Sequence, residues 1–226
     1  MPITAKVEAW LKRNGYQNLC FISYPHTGET AMTDFAARVQ LELQMELRYQ
    51  VQNASVFIDH ECIPPGAIWP AHLKVNLAGS LTMVAILSQI YFSDYHSWCG
   101  KEWAAMENLG GARFPGSTVQ PLIPVLFRKT VIPLAATSKQ YIDLSRNSVL
   151  GKRFFTTATF RSAIQRIVGQ IENLAFLAYE NKSGASQDQC VWPELSPFGG
   201  AAAPSTPPPL LSSLSGQHPI AMSERE

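Results

Sequence analysis

Near the middle of the chain, Ser97-Trp98-Cys99-Gly100-Lys101-Glu102-Trp103 sets an indole four residues ahead of a carboxylate. The run follows an apolar stretch, Leu81–Leu87, and reads as the opening of a helix. Residues four apart on a helix project from one face. An indole and a carboxylate so placed can stack on a flat ring and hold a sugar hydroxyl. The same spacing suits a buried Trp packing a helix start beside a solvated Glu, so the pair alone leaves both readings open. Trp103 turns about 100° away from Glu102 and reads as core.

The elements that must carry this pair alternate between two periods. Leu19–Tyr24, Ser55–Asp59, Leu81–Leu87, Leu122–Phe127 and Tyr141–Leu144 are short, nearly continuous apolar runs, the pattern of parallel strands buried on both faces. Pro124 removes one ladder donor and suggests an edge or bulge for the fourth. Between these runs, apolar residues recur at helical spacing. Ile3, Val7, Trp10 and Leu11 form a short amphipathic helix stopped by Gly15. Thr33–Tyr49 is a helix with Asp34 in its first turn, and another runs from Trp69 or Pro70 to Ala78. The helix opened by Ser97 ends at Gly110-Gly111, and a last one carries Phe160 through Ala178, with Gly169 lowering its helical propensity. Alternating strands and helices predict an α/β domain with a parallel sheet and right-handed crossovers. From Asn181 the composition turns to Ser, Gly, Ala and Pro, too poor in apolar side chains to offset ordering entropy, so 181–226 reads as a disordered tail. Deleting everything after Tyr179 should then leave the core nearly unchanged.

Composition bounds the function classes. Hydrophobic residues make up 46% of 226 and charged residues 15%, enough for one core of ordinary size plus an appendage. Lys plus Arg is 18 against 17 Asp plus Glu, so no basic excess points to nucleic acid or an anionic membrane. No run reaches the ~18 apolar residues of a membrane span, and none follows the first charges as a signal peptide would. Cys20, Cys62, Cys99 and Cys190 show no metal-binding spacing, and reduced thiols fit a cytoplasmic location.

In an open α/β sheet a ligand sits beyond the carboxyl ends of the strands, here at Pro25–Ala31, His60–Trp69 and Ser88–Ser97. None of these loops carries GxGxxG after a strand, which argues against a dinucleotide-binding Rossmann site, and the absence of GxxxxGK[ST] excludes a P-loop. A phospho-accepting receiver would need acids after the first strand, where Pro25-His26-Thr27 stands. Taken in order, Phe21-Ile22-Ser23-Tyr24, Val56-Phe57-Ile58-Asp59, Ile63, Gly66-x-x-Trp69, Ala85-Ile86-Leu87-Ser88 and Ser97-Trp98-Cys99-x-x-Glu102 resemble the successive signatures of a Toll/interleukin receptor (TIR) domain. Pro124-Val125-Leu126 and Tyr141-Ile142-Asp143-Leu144 resemble its later strands, particularly in bacterial members. The resemblance spans Asn18 to Tyr179.

It implies a flavodoxin-like three-layer α/β domain over 18–180, with a central five-stranded parallel sheet, an N-terminal helix within 1–17 and the tail 181–226. It also implies two function classes. Many members cleave NAD+ at the nicotinamide–ribose bond and some cyclise the product; others are scaffolds that only bind other TIR domains, in immune signalling or its disruption. In cleaving members the motif matched here holds the catalytic Glu, which makes Glu102 the catalytic candidate and Trp98 a wall of the nicotinamide pocket. Ser23, Tyr24, Pro25 and His26 match the first pocket wall and are substrate-binding candidates, although an acid common after the His is displaced here by Thr27-Gly28. Asp59 reads as a loop cap, Trp69 as a packing anchor and the Pro64-Pro65-Gly66 loop as the segment that meets a neighbouring subunit. Cys99 has the helix N-terminus that favours a thiolate, but it reads as a packing residue because the family needs no nucleophilic thiol. NAD+ is then substrate rather than cofactor, no metal takes part, and antiphage defence and a host-directed role are both open.

Overall fold

Successive side chains of a strand point to opposite faces, and that alternation builds the layers of this molecule. A computed structural model describes residues 2–26, 30–59, 68–93, 97–128, 139–146, 151–185 and 190–194. Its strands are β1 (Asn18–Ser23), β2 (Val56–Ile58), β3 (Ser80–Leu87), β4 (Leu122–Leu126) and β5 (Ile142–Asp143), and its helices α1 (Ala5–Arg13), α2 (Thr30–Arg48), α3 (Trp69–Ala78), α4 (Ser97–Arg113) and α5 (Ala158–Asn181). All strands pair in parallel in the order β2-β1-β3-β4-β5. Cys20, Ile22, Val56, Ile58, Val84, Ile86, Ile123 and Val125 face one way and share a core with α1, α2 and α5. Phe21, Phe57, Met83, Ala85, Leu87, Leu122 and Leu126 face the other and share a core with α3 and α4. This is the three-layer α/β fold with a five-stranded parallel sheet expected from the sequence.

Several local readings are corrected. α2 begins at Thr30, so Asp34 lies beyond its first turn; buried Met32 extends the apolar stripe of Phe35, Ala36, Val39 and Leu43 backwards. β4 is neither an edge nor bulged, for it lies between β3 and β5. Phe127 N–H bonds to β3 while Leu126 C=O accepts from Leu144, so alternate residues of β4 face alternate neighbours and Pro124 turns its missing donor toward β5. That strand pairs only from Val125 onward, and no ladder bond is lost. Gly110-Gly111 does not end α4. A Cβ on Gly110 would lie 2.8 Å from Gln120 Oε1 and from Pro121 Cδ, so this glycine serves close packing. The helix continues to Arg113, a residue 1% exposed whose guanidinium donates to Ser80 O at 2.8 Å and to Ala78 O. Gly169 sits inside an unbroken α5. Gly15 does close α1, at φ +90, with Ala185 O 2.6 Å from where a Cβ would stand.

That contact shows where the chain goes after α5. Ala185 N–H donates to Asn14 O at 2.8 Å and Tyr16 Oη to Ser183 O at 2.7 Å. Cys190, read as part of a polar tail, is 3% exposed within the α3–α4 core, and Trp192 sets its ring 5.7 Å from Trp98. Ser183, Ala185, Cys190 and Trp192 of the segment after Asn181 are therefore packed, while residues 195–226 lie outside the described residues, as do Cys62, Ile63, Gly66 and the Pro64-Pro65-Gly66 loop. Burying one thiol and part of an indole is worth about 1–3 kcal/mol. A chain ending at Ala185 should accordingly melt lower than one ending at Glu194, and the reverse order or equal melting would show that Cys190 and Trp192 contribute nothing.

Candidate functional site

The chain order of the strands reverses between β1 and β3, which opens a crevice at their carboxyl ends. β1 ends there with Ser23, level with Ala85 of β3; Asp59, the residue after β2, stands on its other side, one step beyond the Ile22–Ile58 pair. α4 crosses this edge and lowers Glu102 toward it. Ser23 Oγ donates to Glu102 Oε2 at 2.5 Å and lies 2.7 Å from Tyr91 Oη, on the turn after β3. All three are buried, with Glu102 5% exposed, Ser23 1% and Tyr91 0%.

Burial sets the electrostatics. The Glu102 carboxyl is pushed up to about 8, first by loss of solvation, then by the Asp59 charge, against the Ser23 hydrogen bond that favours the anion. The Cys99 thiol is raised well above its ordinary value by burial and then by Glu102 and Asp59. Cys99 is a packing residue of the α3–α4 core, as expected, and loss of water keeps its thiol protonated despite the helix N-terminus. The Tyr91 phenol is raised for the same reasons, burial first, then Cys99 and Glu102.

The other candidates surround this core. His26 Nε2 meets Asp59 Oδ2 at 2.7 Å, and Tyr24, 2% exposed, packs its ring 4.5 Å from the His26 ring. Asp59 is thus tied to the β1 loop. Pro25 is buried between Tyr24 and His26. Trp98, half-buried one turn before Glu102, meets Trp192 and carries Lys101 Nζ 5.0 Å over its ring. Trp103 is 0% exposed against Tyr91 and Phe92, as core. The side chain of Trp69 lies outside the described residues. Two buried oxygens on this rim, Asp59 Oδ1 and Ser88 Oγ, have no hydrogen-bond partner among the described residues. Such atoms are rare in a finished interior and suit a site that receives polar ligand groups.

Tyr91 is the residue that sequence reasoning missed. Its signal was present, since it lies in the loop after β3 at the crevice and a buried phenol needs a partner for its hydroxyl. No described group of three or more His, Cys, Asp or Glu could hold a metal, and no described helix is long and apolar enough to cross a membrane.

Comparison with known proteins agrees with this architecture. The family model described as TIR domain matches residues 20–157, more than half of the chain. No curated protein matches it. The match runs from Cys20 in β1, whose Ser23 meets Glu102, through the other four strands and α4, and the chain belongs to the TIR domain family.

Proposed function

We propose that this TIR domain cleaves NAD+ between nicotinamide and ribose, with Glu102 as the catalytic carboxylate. The observation that carries the reading is a buried glutamate at the carboxyl edge of the sheet, aimed into the crevice and hydrogen-bonded through one oxygen. Structural glutamates are seldom buried without a cation, so a site that keeps one against its solvation has a use for the charge. Nicotinamide in NAD+ is already a cationic leaving group and needs no acid. As the C1′–N bond breaks, its electron pair leaves with nicotinamide and the ribose acquires oxocarbenium character, as in glycoside cleavage. Glu102 as the anion stabilises that charge and holds a ribose hydroxyl, while Ser23 keeps its other oxygen in place. Water adds to C1′ and loses a proton, yielding ADP-ribose; attack by a group of the same nucleotide would give a cyclic product. Trp98, Tyr24, Pro25 and His26 form the surrounding wall, with Asp59 Oδ1 and Ser88 Oγ open to polar groups of the substrate. Low exposure of Glu102 in a single chain accords with activation on self-association with other TIR domains.

The test is to incubate concentrated chain with NAD+ and to resolve nicotinamide, ADP-ribose and cyclic products, beside Glu102→Ala. Nicotinamide release that Glu102→Ala abolishes is the expected result. Equal release by the mutant would overturn the role of Glu102. No release even from crowded protein would leave a binding module, to be checked by pull-down with a second TIR domain.

A further inference from the structure

Glu102 is reached by two hydroxyls in series, and only one of them touches it. Ser23 Oγ has a single hydrogen to give. It lies 2.5 Å from Glu102 Oε2 and 2.7 Å from Tyr91 Oη, so it can donate to one of them only. When Glu102 is an anion it can only accept, the Ser23 hydrogen must go to it, and Tyr91 must donate to Ser23. In that arrangement every hydrogen is used. With a proton on Glu102 Oε2 the series can run the other way, Glu102 to Ser23 to Tyr91, but the Tyr91 hydrogen then has no acceptor among the described residues, on a side chain 0% exposed whose ring packs against Phe92 and Trp103. A stranded buried donor is unfavourable.

We propose that Tyr91 is a positioning residue, whose hydroxyl donates to Ser23 Oγ and thereby turns the Ser23 hydrogen onto Glu102, so that two buried hydroxyls act together to hold the carboxylate form. Tyr91 does not touch the reacting atoms. Its function in catalysis rests on the reading of Glu102 as the catalytic carboxylate, but its effect on Glu102 does not. Donation from Tyr91 polarises the Ser23 hydroxyl and strengthens its bond to the anion. Among the described residues, the other ionisable groups that act on Glu102 are Asp59 beyond β2, itself paired with His26, and Cys99 on α4, whose thiol also meets Ser23. Neither Asp59 nor His26 bonds to Tyr91 or Ser23 in the described contacts, so the Tyr91 phenol can be removed without breaking the His26–Asp59 pair.

The test is Tyr91→Phe, which keeps the ring and its packing, followed by carbon-13 NMR titration of the Glu102 carboxyl in the full chain, its resonance assigned by loss in Glu102→Gln. Tyr91→Phe should raise the Glu102 titration midpoint by roughly 0.5–1 pH unit, the size expected for losing one cooperative donor. In a Ser23→Ala background the same substitution should move it no further. If NAD+ is cleaved, Tyr91→Phe should lower the rate about 3–10-fold near pH 7 and recover toward the parent near pH 9, following the midpoint. An unmoved or lowered midpoint would overturn the proposal. So would an equal shift in the Ser23→Ala background, or a rate loss identical at every pH, which marks a merely structural residue. The titration is read without substrate. A shifted midpoint in a chain that cleaves nothing therefore supports the relay and counts against the NAD+ reading alone.

Discussion

Glu102→Gln is expected to cripple NAD+ cleavage and to make the protein more stable at the same time. An electrostatic contact of this kind is worth ~3–4 kcal/mol, so the rate should fall on the order of 10²–10³-fold. The stability gain follows from linkage. An ordinary glutamate titrates at 4.5 and this one at about 8, so the folded chain binds the proton far more tightly than the unfolded chain. Its contribution is fully present below pH 4.5 and is lost as pH rises through about 8. At pH 7 the loss is about 3 kcal/mol, and removing the ionisable group recovers it. Gln keeps the length and an oxygen to accept from Ser23. The mutant should therefore melt near the parent at pH 4.5 and roughly 6–12 °C above it at pH 7, read by calorimetry at both values. A mutant that melts lower at pH 7 would mean that Glu102 is a structural carboxylate whose charge the fold needs. A gain in stability joined to loss of activity is the signature of a group kept for chemistry.

The α/β architecture was legible because four fully buried strands and a short edge strand are written as apolar runs, and because turn and cap residues separate them from helices of period 3.6. The place of Glu102 was legible for the same reason, since the third strand and the helix after it must deliver their junction to the carboxyl edge of the sheet. The partner of Glu102 was not. Ser23 lies 79 residues before it and Tyr91 lies 68 residues after Ser23, and no local pattern encodes a hydroxyl pair that meets across a sheet. Gly110 misled because a glycine marks either a helix end or a close approach, and only Gln120 and Pro121, brought in by the next strand, tell which. Cys190 and Trp192 escaped notice because composition averages over a segment, whereas two side chains suffice to dock it.

The same buried carboxyl that costs stability should govern the pH dependence of the reaction. If Glu102 must be ionised and titrates at about 8 in the free protein, kcat/KM for NAD+ should rise with pH, about 50-fold between pH 6 and pH 8, and level off above. The direction is opposite to that of stability, which falls over the same interval, so the protein works best where Glu102 is held at greatest expense. Substrate should move the limb. The nicotinamide ring brings a positive charge next to Glu102, and an opposite charge favours the ionised form. The kcat limb should therefore lie at lower pH than the kcat/KM limb, and the gap between them measures how closely the cation approaches the carboxylate. Asp59 works against this by its like charge, so Asp59→Asn should shift the kcat/KM limb downward while weakening the hold on His26. A profile flat from pH 6 to pH 9 would show that the carboxylate is formed without passing through the buried acid, and Glu102 could not then be the group whose charge builds the transition state.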